Sequence, residues 1–93
     1  LGEMANVHMA RQEWDAAEAA LTEALALARR LKDQSGIAFT TVKLGQVARA
    51  RGDGATALTR YREGLAIFER LGMARGAQQV REMIADLESG ELV

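Results

Sequence analysis

Cysteine and proline are both missing from this chain of 93 residues. Without cysteine there is neither a disulfide framework nor a thiolate metal site, an absence that suits a cytoplasmic protein. Without proline, no residue interrupts a helix by ring sterics. His8 is the lone histidine, so the convergent imidazoles of a zinc site are lacking. At its place on the apolar stripe Met4–His8 it reads as a helix-packing residue. Aromatics are limited to Trp14, Phe39, Tyr61 and Phe68, too few to stack the bases of a nucleic-acid single strand. A net charge of −1 and a pI of about 5.8 exclude global attraction to nucleic acid or anionic membranes. No apolar run reaches the roughly 18 residues of a membrane span, and no signal-peptide pattern is present.

What the chain has in quantity is alanine, the best helix former. Ten of the twelve basic residues are arginine; with the alanine and glycine content, that skew points to a GC-rich bacterial gene. Apolar residues recur at three- and four-residue steps throughout, the helical template. Five helical segments are expected, at about 1–10, 15–31, 36–51, 55–71 and 75–89. The second carries Ala17, Leu21, Ala24, Leu25, Ala28 and Leu31, with Asp15 and Glu18 as a capping box and Trp14 as a staple. The third carries Ile37, Thr41, Leu44 and Ala48, with Val47 beside them. The fourth carries Ala57, Leu58, Tyr61, Leu65, Phe68 and Leu71. The last carries Ala77, Val80, Ile84 and Leu87, and Gly90 suits the left-handed position beyond its end. Breaks are expected at Arg11–Trp14, Lys32–Ser35, Gly52–Gly54 and Gly72–Ala74. Connections this short make consecutive helices antiparallel.

Residues 4–36 and 44–76 are two copies of one unit, forty residues apart. Val7/Val47, Ala17/Ala57, Glu23/Glu63, Leu25-Ala26/Leu65-Ala66, Arg30-Leu31/Arg70-Leu71 and Gly36/Gly76 are identical pairs. Such a period marks a solenoid, in which each unit buries its apolar face on its neighbours. Within the second copy, Leu44-Gly45, Ala48, Gly52-Asp53, Ala57, Tyr61 and Gly64-Leu65 follow the small/large pattern of a tetratricopeptide repeat. Met4-Ala5, His8, Gln12-Glu13, Ala17, Leu21 and Ala24-Leu25 follow it in the first. The small residues let two helices approach closely, and Tyr61 or Leu21 fills the gap. The period of forty resembles the longer bacterial variety found in signalling ATPases and transcriptional activators.

The resemblance implies an all-α, right-handed superhelical stack of antiparallel helix hairpins. Residues 1–35 are expected to be a first repeat truncated at its N-terminus, 36–74 a second, and 75–93 a final helix and tail. It also implies a non-catalytic module that binds a peptide or partner helix in a concave groove, without a cofactor, within a larger bacterial regulatory or scaffold protein. The positions lining that groove would be Asn6 and Met9, then Phe39, Val42, Lys43, Gln46 and Arg49, then Gln79, Glu82, Met83 and Asp86. Phe39, Val42 and Met83 are expected to form an exposed apolar patch with a polar rim, a mixture suited to a peptide; the competing reading packs Phe39 and Val42 on a neighbouring helix.

No residues support an enzyme. Gly52-Asp53-Gly54 lacks the lysine-serine pair of a phosphate loop and reads as a turn. Glu13/Asp15 and Glu82/Asp86 read as solvated faces. The alternative to protein binding is a helical-repeat nucleic-acid-binding module, but arginines interspersed with acids suggest a salt-bridged surface. The chain starts at Leu1 within an apolar pattern and reads as a piece of a longer protein. Self-association through residues 1–31 is therefore expected, with Leu21, Leu25 and Trp14 on the open side.

Overall fold

The computed structural model describes the backbone of residues 2–92 and the side chains of residues 13–90. It consists of α1 (Gly2–Arg30), α2 (Gln34–Ala50), α3 (Gly54–Arg70) and α4 (Ala74–Leu92), with no strand among the described residues. Each helix packs on the next, and the α2–α3 interface is the most extensive. The antiparallel pairing of α2 and α3 is visible at their ends: Arg70 Nη2, at the end of α3, donates to Gln34 Oε1, at the start of α2, at 2.8 Å.

One turn recurs three times. Lys32, Gly52 and Gly72 have φ of 56°, 86° and 70°. The amide after each donates to a carbonyl five residues back: Asp33 to Ala28, Asp53 to Ala48 and Met73 to Phe68, all at 2.9 Å. This closes a helix with a left-handed residue and satisfies its last carbonyls. Asp33 then caps α2 by accepting the Gly36 amide at 3.0 Å, and Asp53 caps α3 by accepting that of Thr56 at 3.1 Å.

The break expected at Arg11–Trp14 does not form, and α1 runs through it as one helix of 29 residues. The turns stand at 32, 52 and 72, so the next position in this spacing is Gln12. The turns at 52 and 72 have glycine for the left-handed residue, and those at 32 and 52 have an aspartate cap. Gln12-Glu13 offers neither, since glutamine resists positive φ and glutamate is a poor cap. The capping box and staple go with the break. Asp15 and Glu18 instead accept Arg51 Nη1 at 2.9 and 2.5 Å, tying α1 to the end of α2. At the other end, α4 does not stop at Ser89-Gly90, and Gly90 lies inside the helix.

The core contains Ala38, Val42, Ala48, Ala57, Tyr61, Phe68, Ala77, Val80 and Leu87, and Leu25 and Ala28 of α1 are also buried. Leu25, expected on the open side, is covered. Ala24 and Leu31, expected on the packing stripe, are exposed. Leu25 and Ala28 of the expected stripe are the part of it that α1 buries. The small residues act as expected. A Cβ on Gly45 would lie 2.7 Å from the Tyr61 ring, and one on Gly64 would collide with the Val42 methyl.

Gly64→Ala should therefore destabilise the chain by about 1–3 kcal/mol through overpacking. Gly90→Ala, with nothing near its Cβ, should be neutral or stabilising by up to about 1 kcal/mol. Thermal melts of the two variants check both signs, and a loss at Gly90 would mean that the helix ends there. A second expectation concerns acid. The Thr56 hydroxyl and then its amide hold the Asp53 carboxyl below its ordinary value of 3.8. A carboxyl depressed on folding contributes stability that is complete above its unfolded value and is lost as pH falls through the folded one. Melting temperatures from pH 6 downward should decline in that acid range, and less steeply for Asp53→Asn.

Candidate functional site

The helical period places Phe39, Lys43, Gln46 and Arg49 on one side of α2 and Gln79, Glu82, Met83 and Asp86 on one side of α4. The two helices run in the same direction, because each is antiparallel to α3. Arg49 Nη2 meets Asp86 Oδ2 at 2.9 Å near their C-terminal ends. Between them lies a groove of about 670 Å³. Its floor is Val42 of α2, Phe68 of α3, and Gly76 and Val80 of α4.

The structure brings Phe39, Val42, Lys43, Gln46, Arg49, Gln79, Glu82, Met83 and Asp86 together around this one groove. Asn6 and Met9 lie outside the described side chains. Val42 differs from its expected role as part of an exposed patch: it is 8% exposed and belongs to the core. The cause is Gly64, whose missing side chain lets α3 cover the Val42 methyl. Phe39 keeps 46% of its surface while its ring stands edge-on to Phe68, with centroids 4.9 Å apart at 74°. It is thus anchored from below and open above.

Three lining residues were not expected there. Phe68 was assigned to the core, and it is 2% exposed, yet it also forms part of the floor. Gly76 allows α4 to sit on it, since a Cβ there would lie 3.0 Å from the Phe68 ring. The repetition of this glycine at Gly36 was the available signal. Val80 was read as a core position only.

The walls differ in sign. Lys43 and Arg49 stand on the α2 side, and Glu82 and Asp86 on the α4 side. The Arg49–Asp86 pair spans the groove, and the hydrogen bond that Arg49 donates to Asp86 raises the Arg49 pKa. Arg49, expected among the groove-lining residues, stands there as one half of an ion pair. Lys43 has no ion-pair partner among the described residues. Burial pushes the Tyr61 phenol up, with the Arg49 charge opposing it. Among the described residues no three His, Cys, Asp or Glu side chains converge as metal ligands, and no helix is long and apolar enough to cross a membrane.

The different surroundings of the two phenylalanines give a direct expectation. Phe68→Ala should cost about 3–5 kcal/mol by emptying a core site. Phe39→Ala should cost about 1–2 kcal/mol, from a half-buried ring and one aromatic contact. Chemical denaturation of both variants measures the gap, and equal losses would make Phe39 an ordinary core residue.

A family model described as tetratricopeptide repeat matches residues 1–70, which include α1 to α3. No curated protein and no solved structure shows a significant match. Repeats of this kind generally mediate protein–protein interaction and are typically not enzymes. With helices paired through small residues at the repeat positions and a family match over three quarters of its length, the chain belongs to the tetratricopeptide-repeat family.

Proposed function

We propose that the groove between α2 and α4 binds an extended or helical peptide of a partner protein, within a cytoplasmic bacterial regulator or scaffold. The observation that carries this reading is Phe39, a large aromatic half exposed at the rim and held in place by Phe68. Aromatic residues seated this way are common anchors in interfaces. An apolar side chain of the peptide would rest on Phe39 and Met83. An acidic residue beside it would meet Lys43, and a basic one Glu82. In this reading residues 36–74 form one complete repeat, 1–35 the preceding one and 75–93 the final helix and tail.

Three of the arginines are already engaged by acids, which weighs against nucleic-acid binding at those positions. Arg51 is engaged by Asp15 and Glu18, Arg81 by Glu69 at 2.6 Å, and Arg49 by Asp86. A phosphate-tracking surface needs basic groups free of such partners.

The test is selection from a displayed random-peptide library, followed by affinity measurement on the peptides recovered. Phe39→Ala should weaken binding by about 1–3 kcal/mol. Lys43→Glu should disfavour acidic peptides selectively, with an unchanged melting temperature. Binding to a mixed-sequence oligonucleotide at physiological salt, falling steeply as salt rises, would instead favour the nucleic-acid alternative. Peptides whose affinity ignores Phe39 would refute the groove assignment.

A further inference from the structure

The two helices that wall the groove are level with one another at both ends. Phe39 of α2 and Gly76 of α4 flank the same ring. The Phe39 and Phe68 centroids are 4.9 Å apart, and a Cβ on Gly76 would lie 3.0 Å from the Phe68 ring. At the other end Arg49 Nη2 reaches Asp86 Oδ2 at 2.9 Å. Both pairs are 37 residues apart, so α2 and α4 run parallel in one register. From Phe39 to Arg49 the groove is about 15 Å long at the helical rise.

The two ends differ. At one, the half-exposed Phe39 ring is level with Gly76, which presents no side chain. At the other, one arginine and one aspartate span the gap, which leaves no passage for a helix about 10–12 Å across. Between the ends the walls carry opposite charges that do not meet. Lys43 and Glu82 have no ion-pair partner among the described residues; Glu82 accepts a long hydrogen bond from Gln78 Nε2 at 3.5 Å. Lys43 lies about 6 Å along the groove from Phe39, and Glu82, level with Gly45, about 9 Å. An extended chain advances about 3.3 Å per residue and turns successive side chains to opposite sides. With one residue on Phe39, the second beyond it comes level with Lys43 on the α2 side. The third comes level with Glu82 on the α4 side.

We propose that the groove selects an extended segment in which, counted from the Phe39 end, an apolar residue, any residue, an acid and a base follow one another. The apolar side chain stacks on Phe39, the acid meets Lys43 and the base meets Glu82. The Arg49–Asp86 pair closes the groove beyond them. This segment is a narrower occupant than the peptide-binding reading above, on which it depends: the extended conformation is required, and the order of the charges is fixed. A single exposed ion pair contributes little. Exchanging the acid and the base, however, replaces two attractions with two repulsions, and such a change sets specificity.

The probe is a displayed library in which every peptide carries leucine, a random residue, and then either aspartate–lysine or lysine–aspartate, between random flanks. The reversed sequences of both kinds are included. Selection on the 93-residue chain at low ionic strength should enrich the leucine–x–aspartate–lysine order, in one chain direction, about tenfold over its exchanged counterpart. The double variant Lys43→Glu with Glu82→Lys should enrich the exchanged order instead. Both positions are exposed, so its melting temperature should match that of the unaltered chain. Phe39→Ala should abolish enrichment of either order. Peptides that depend on Phe39 but show no preferred order overturn the proposal and leave the groove reading standing. A gain of helical circular dichroism by the peptide on binding does the same. Peptides that ignore Phe39, or none recovered at all, overturn both.

Discussion

The reciprocal contact between α2 and α3 is the constraint on which the remaining packing depends. Each helix presents a glycine where the other presents a large side chain: Gly45 faces the Tyr61 ring, and Gly64 faces Val42. Because no Cβ intervenes on either side, the helices come close enough to enclose Tyr61 almost entirely. That approach carries Val42 into the core and brings Phe68 beneath Phe39. Gly76 then repeats the device one helix later, seating α4 on the other side of Phe68. The groove is what remains between two helices that rest on one intermediate helix without touching along their full length.

The connections obey an equally local logic. A left-handed residue and a cap are the two devices that reverse the chain, and each observed turn has at least one: glycine at 52 and 72, aspartate at 33 and 53. Lys32 shows that a side chain can occupy the left-handed position when Asp33 caps the helix that follows. At Gln12-Glu13 both devices are missing, and the intrinsic helicity of an alanine-rich stretch prevails. The first repeat thus keeps its family signature while losing its hairpin.

Much of this was legible beforehand, for reasons that can be stated. The spacing of Gly45, Ala57, Tyr61 and Gly64 is a packing instruction, and it told which residues would be buried between paired helices. The outward positions of α2 and α4 follow from the same period, which is why Phe39, Lys43, Gln46, Gln79 and Glu82 were found around one groove. What escaped depended on more than one helix at a time. Val42 is buried because α3 covers a flank of α2 that a single-helix pattern leaves open. Arg49 and Asp86 are 37 residues apart, and no periodicity connects them. Of the α1 stripe only Leu25 and Ala28 are buried, while Ala24 and Leu31 on the same stripe stay exposed. Gln12 and Gly90 were misjudged in opposite senses: the first was credited with a turn it could not make, the second with a stop it did not impose.

Every interface of size joins helices adjacent in sequence, and that bears on how the chain folds and fluctuates. Each contact closes only a short loop, so the mean sequence separation of contacting residues is small and the folding rate correspondingly high for the size. Cooperativity, by the same token, passes only from neighbour to neighbour. Either outer helix can detach at the cost of one interface, whereas α2 and α3 separate only when the largest is broken. Protection against amide exchange is accordingly graded, highest along the central pair and decreasing toward both ends. The groove, with one wall on a central helix and the other on an outer one, joins a slowly opening surface to a rapidly opening one.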